Sequence, residues 1–225
     1  MRLLFLAPLL LLGGACAPAE AGGNAAGTSI GADRQAAGRY RLQGGPDVAS
    51  ALELLPDGRF RYFLAAGALD KRAEGRWTSD GRTILLNTEP RPVPAVFSAG
   101  PPTQSGEAPL VVRVTTPGGR GLAGIDLVLG FADGRTVDGY TQEAGWHYTG
   151  EAPPGRPAWV ELSLAMYGIA PRRFPLDPAA GNQHNFTLTP NDMEVMDFRD
   201  QALEIKGRNL VLHLDGGTGT YVREE

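Results

Sequence analysis

From Tyr40 onward, apolar and polar residues alternate with a period of two. That spacing turns one face of a strand to a core and the other to water. Residues 40–43 open the pattern, and residues 50–55 follow with Leu52 and Leu54 on one face and Glu53 between them. Residues 59–64 set Phe60, Tyr62 and Leu64 inward and Arg59 and Arg61 outward. Residues 71–78 alternate Ala73, Gly75 and Trp77 against Arg72, Glu74 and Arg76, and residues 82–87 come next. Pro56-Asp57-Gly58 and Ser79-Asp80-Gly81 carry turn chemistry between these runs. The pattern predicts five antiparallel strands joined by short connections.

The rhythm then fails. Pro90, Pro92, Pro94, Pro101 and Pro102 make residues 89–109 unfit for a central strand, so this stretch reads as a linker. The first style resumes near the C-terminus. Leu203 and Ile205 alternate with Glu204 and Lys206, Leu210, Leu212 and Leu214 with Val211 and His213, and residues 221–223 follow a Gly-rich turn. Five early and three late strands make eight, the number that closes a small antiparallel barrel and removes its edges. Between the halves, residues 110–114, 125–131, 135–141, 145–149, 158–165, 172–176 and 184–189 read as seven short strands of a small antiparallel sandwich.

The expected fold class is therefore all-β: a discontinuous eight-strand barrel (39–98 and 193–225), a linker (99–109) and an inserted β-sandwich (110–190). One stretch stays ambiguous. Asn191 and Glu194, ahead of Val195, Phe198 and Ala202, have capping-box spacing for a short helix; a strand is preferred.

Composition changes the picture in three places. The 31 Gly and 18 Pro are spread along the chain and leave little room for long helices. A net charge of −4 gives no electrostatic case for a nucleic-acid partner. The single cysteine, Cys16, excludes an intrachain disulfide and any Cys-rich zinc site.

Cys16 also has an informative position. Met1-Arg2 and an apolar run over residues 3–12 precede Gly13-Gly14-Ala15-Cys16. The run is shorter than the ~20 residues that span a bilayer, and it suits a cleaved signal peptide. It resembles a bacterial lipoprotein signal, although Gly13 stands where Leu is favoured. That resemblance implies signal residues 1–16, lipidation at Cys16 and a membrane partner through the lipid. Ala17 resembles the outer-membrane sorting class, which implies the periplasmic face of that membrane. Ordinary secretion with a cut after Ala17 or Ala19 is the competing reading. Residues 17–38, rich in Ala and Gly, read as a flexible tether with a reach of roughly 25 Å.

The two β units carry resemblances of their own. A "G-Y-x-L … L-x-L-x-P-D-G-x-F … G-x-W … I-x-L" start and an "A-L-E-I-K-G-R-N-L-V-L … Y-V-R" finish resemble lipocalin-like (calycin-type) bacterial envelope domains. The string "G-L-A-G-I-D-L-V-L-G-F-A-D-G-R … T-Q-E-A-G" resembles the transthyretin-like, carboxypeptidase-regulatory-like sandwich family, with Gln142 where Asp is usual. That family is mostly structural or adhesive. The Tyr-Arg-Gly-Ser ending of its hydroxyisourate hydrolase relatives is absent here, so hydrolase activity does not carry over.

Candidate chemistry is sparse. Gly119-x-Gly121-x-x-Gly124 has dinucleotide-binding spacing, but the residues after it alternate as a strand rather than opening a helix. A glycine-rich hairpin turn is the reading kept. His147, His184 and His213 fall in no metal-binding spacing and read as surface or satisfied residues, and no Ser lies in G-x-S-x-G. No catalytic residue, metal site or cofactor is therefore expected. Tyr40, Phe60, Tyr62, Trp77 and Tyr221 share the inward phase of the barrel. They either fill its interior or bound a cavity for a small apolar ligand; filling is preferred. The expected role is non-catalytic, as a structural or protein-interaction module with an envelope protein partner. A binder of a small apolar ligand is the alternative.

Overall fold

The computed structural model describes residues 33–149, 153, 155–214 and 217–225. The expected signal, Cys16 and the tether up to residue 32 lie outside them. The chain first lays down β1 (Gly38–Leu42), β2 (Val48–Leu54), β3 (Arg59–Ala66), β4 (Leu69–Ser79) and β5 (Thr83–Thr88). Eight strands follow: β6 (Val96–Ala99), β7 (Val111–Thr115), β8 (Asp126–Phe131), β9 (Thr136–Tyr140), β10 (Trp146–His147), β11 (Pro157–Leu164), β12 (Ile169–Pro175) and β13 (Gln183–Thr189). The last three are β14 (Gln201–Lys206), β15 (Asn209–Leu214) and β16 (Gly217–Arg223).

The first five and last three strands form a closed barrel in the order β1-β16-β15-β14-β5-β4-β3-β2. Every neighbour is antiparallel, and the two halves of the sequence meet where Leu203 faces Ile84 and where Tyr40 faces Arg223. The inward phase read from the sequence is the buried one, with Leu52, Leu54, Phe60, Trp77, Ile84, Leu86, Leu203, Leu210 and Leu212 all at most 2% exposed. Tight turns make the closure possible. Gly58 and Gly81 take φ of 82° and 85°, which only glycine adopts without strain. Beside them Asp57 and Asp80 accept backbone N–H bonds from Arg59 and Arg82.

The inserted strands form two four-stranded sheets, β10-β7-β13-β6 and β12-β11-β8-β9, around one core that includes Val112, Val114, Leu127, Leu129, Val160, Leu162 and Phe186. Three expectations need correction here. An eighth strand, β6, joins the seven; residues 96–98, assigned to the barrel, and Ala99, assigned to the linker, pair with β13 as a sheet edge. An edge is where a proline-flanked strand can survive, because only one side of its backbone must be paired. The sandwich is also not wholly antiparallel, since β7 and β13 run parallel. The Gly119–Gly124 turn is more than a hairpin. Thr115 pairs back with Gly121, and Gly124, at φ 77°, then redirects the chain into the other sheet.

The ends of the barrel also depart from expectation. Residues 33–37, assigned to the tether, form a turn under one end that buries Ala36 and Ala37. Arg223 fixes that turn by donating to the carbonyls of Gln35 (2.8 Å) and Ala37 (2.5 Å). Residues 191–200 are neither helix nor strand. Turns lead to an isolated parallel bridge between Val195 and Arg72, which lengthens the sheet where β5 has ended. Because five strands precede the insertion, the sandwich leaves the barrel at the end opposite the 33–37 turn.

Candidate functional site: the barrel interior and the barrel–sandwich cleft

The barrel brings together all five sequence-predicted aromatic residues. Tyr40, Phe60, Tyr62, Trp77 and Tyr221 are 1–4% exposed and belong to one buried cluster. Their polar atoms are used within the protein. The Tyr40 hydroxyl donates to the Ala36 carbonyl (2.7 Å), and Trp77 Nε1 donates to the Leu55 carbonyl (3.0 Å). Ser50 Oγ lies 2.8 Å from the Tyr221 hydroxyl and donates to the Phe63 carbonyl, while Tyr221 reaches the Tyr62 hydroxyl at 3.5 Å. Burial raises the Tyr221 hydroxyl well above the ordinary phenol range. This is a network of neutral hydroxyls.

Phe198 shuts the other end. Its ring lies 5.3 Å from Tyr62 in an edge-on contact and 6.1 Å from Phe60. Thr88 holds it there: Thr88 Oγ1 donates to the Met196 carbonyl and accepts from the Phe198 N–H. The interior is thus occupied by side chains and covered at both ends. Sequence reasoning missed the Phe198 plug because it read residues 191–200 as a strand or a short helix, whereas they form turns that no periodicity places.

A second concave surface had no signal in the sequence at all. Between barrel and sandwich lies a cleft of about 930 Å³. Its apolar lining includes Val93, Val96, Met166, Ile169, Met193 and Met196. Three of these are notably bare for their type, with Val93 at 55%, Val96 at 40% and Met166 at 58% exposure. The residues come from the proline linker, β6, the short 3₁₀ turn Ala165–Tyr167, the start of β12 and the return segment, so no single element carries the pattern. Lys71 sits at the junction. Its ammonium donates to the carbonyls of Met193 (2.7 Å) and Tyr167 (3.2 Å) and lies 5.0 Å from the Tyr167 ring centre. Burial lowers its pKa, partly opposed by Glu194. A smaller groove of about 430 Å³ on the barrel wall is bordered by Arg61, Arg72 and Glu74. Arg61 and Arg72 are paired there with Glu53 and Glu194.

The histidines stay apart. His147 lies 2.9 Å from Glu107 and His213 3.0 Å from Thr218 Oγ1, both at the surface. His184 departs from expectation. It is buried in the sandwich at 3% exposure, and its Nε2 has no hydrogen-bond partner. Among the described residues, no group of three or more His, Cys, Asp or Glu is arranged to hold a metal ion. No helix among them is long and apolar enough to cross a membrane. Compared with known protein families, characterised proteins and solved structures, the chain has no significant match. What is established is the coarse class: an all-β protein with a closed eight-strand antiparallel barrel and two further four-stranded sheets.

Proposed function

We propose that the protein is a non-catalytic cell-envelope lipoprotein, anchored through lipid on Cys16, that acts as a structural or protein-interaction module. In this reading the barrel is a lipocalin-like domain reduced to a scaffold, and the transthyretin-like sandwich is the part presented to an envelope partner. The observation that carries it is the filled interior. Five aromatic rings and the Phe198 plug occupy the space where a lipocalin-type ligand would sit, and the chain covers both ends. The topology supports it too, because the tether enters at one end of the barrel and the sandwich leaves from the other. An anchored barrel then serves as a spacer.

The anchor is tested by labelling cells with a palmitate analogue. Wild type is expected to incorporate label and Cys16→Ser to lose it; equal labelling removes the anchor. The module is tested by placing a photo-crosslinker at Tyr140, 61% exposed on the β9 edge, and at Phe63 on the barrel wall. A single defined adduct from Tyr140 in envelope membranes, absent from Phe63, is expected. An extracted lipid whose binding disappears on Trp77→Ala would instead favour a ligand inside the barrel.

A further inference from the structure

We propose that the cleft between barrel and sandwich binds a single-chain anionic amphiphile, with its head at Lys71 and Arg172 and its hydrocarbon along Val93, Val96, Met166 and Met196. The site is distinct from the barrel interior and does not depend on the scaffold reading above. Its volume of about 930 Å³ lies within the range of sites that bury small ligands, roughly 300–1,000 Å³. Large apolar side chains left bare around one concavity mark a surface that something covers. Methionines suit a flexible chain, because their unbranched thioethers repack around it.

The charges decide the head group. Four ionic side chains line the cleft: Lys71, Arg172, Asp192 and Asp197. Both acids are hydrogen-bonded, but among the described residues only Asp197 is countered by cations; Asp192 keeps its charge. Asp192 accepts the Val93 N–H at 2.9 Å, and Asp197 is paired with both Arg91 and Arg199. Neither cation has a carboxylate within ion-pair distance among the described residues. Arg172 lies 5.3 Å over the Phe174 ring, and Lys71 rests on backbone carbonyls. Glu194, the acid that acts on Lys71, is bonded by Arg72 at 3.1 Å. With Arg91 and Arg199 flanking Asp197, basic side chains outnumber acidic ones around the cleft, and Lys71 is partly withdrawn from water beside the apolar walls, where an anion gains most. An added peptide strand fits less well. β6 has only four residues between proline-rich flanks, too short an edge for a ladder.

The test is calorimetric titration of the purified full chain with probes sharing a dodecyl tail, below their micellar concentrations. Laurate and dodecyl phosphate are expected to bind one to one. Dodecyltrimethylammonium and dodecyl maltoside are expected to bind at least tenfold more weakly. Arg172→Gln, which breaks no hydrogen bond, should weaken the anionic probes about tenfold and leave dodecyl maltoside unchanged. Met166→Asp should weaken every probe, and Lys71→Met should act like Arg172→Gln if it folds. Equal affinity for all three head charges, or binding indifferent to both Arg172→Gln and Met166→Asp, overturns the proposal. An anionic bilayer could offer the same head group. Retention on phosphatidylglycerol vesicles that laurate does not compete away would assign the cations to a membrane surface and also overturn it.

Discussion

The barrel and the sandwich are made from the same alternating pattern, yet they treat buried polar atoms differently. In the barrel, strands turn their inward residues toward a shared axis, and each buried hydroxyl or indole nitrogen meets a hydrogen-bond partner. Tyr40 and Trp77 reach loop carbonyls at one end, Thr88 reaches Met196 at the other, and Ser50 and Tyr221 meet in between. The sandwich core is largely aliphatic, and that unit holds two buried nitrogens without a partner, Arg113 Nε and His184 Nε2. A closed barrel brings side chains and chain ends within reach of one another. The sandwich satisfies Thr141, fully buried just after β9, through the Leu122 carbonyl and the Ile125 N–H, but it finds no partner for the two buried nitrogens. The barrel thus leaves no buried side-chain polar atom unpartnered among the described residues, whereas the sandwich carries the cost of two.

The largest way to break this comparison is Trp77→Ala. It removes a ring 2% exposed and its bond to Leu55, so urea unfolding is expected to show a loss of about 3–5 kcal/mol. A loss under about 1 kcal/mol would mean that the interior is not packed around this ring. Phe198→Ala should cost slightly less, about 3 kcal/mol, because the mouth it covers can admit water. It carries a second readout: a small apolar fluorophore should enter the barrel of the variant and not that of the wild type.

His184 sharpens the other side. Burial holds its pKa below the ordinary value of about 6.5, against a smaller opposing effect of Asp177. As pH falls through 6.5, the unfolded chain takes a proton that the folded chain refuses. Stability is then lost on acidification, by at most about 1.4 kcal/mol per pH unit from this residue, until the folded form also protonates. His184→Leu should flatten that dependence between pH 7 and 5 in thermal unfolding. An unchanged slope would place the acid sensitivity elsewhere.

Much of this was readable from the chain, and the limits have physical causes. Strands such as β3 and β4 announce themselves because alternation and Asp-Gly turns act together over a few residues. The Tyr40–Tyr221 pair of strands was legible as a shared phase, since a barrel must close its edges. The Phe198 plug and the cleft were not. Both depend on irregular backbone whose side-chain directions are set by long-range partners, such as Thr88 under Phe198 and Lys71 under Met193. β6 was hidden by its prolines, which exclude a central strand but not an edge. His184 had the right phase for burial, and only the tertiary core shows that its Nε2 meets no partner.

The smallest expected effect tests the hydroxyl network itself. Tyr221→Phe deletes one oxygen and leaves the ring in place. Ser50 Oγ keeps its bond to Phe63, so no buried donor is stranded. The Tyr62 hydroxyl loses only a long 3.5 Å contact. The expected cost is about 1 kcal/mol, the net worth of an ordinary internal hydrogen bond. Ser50→Ala removes the other half of the 2.8 Å pair, and the double variant completes a cycle. If the hydroxyls cooperate, the two losses sum to more than the double variant's loss. Strict additivity would mean that each oxygen serves its own neighbours. The barrel would then owe its tolerance of polar groups to nearby carbonyls and not to a network along its axis.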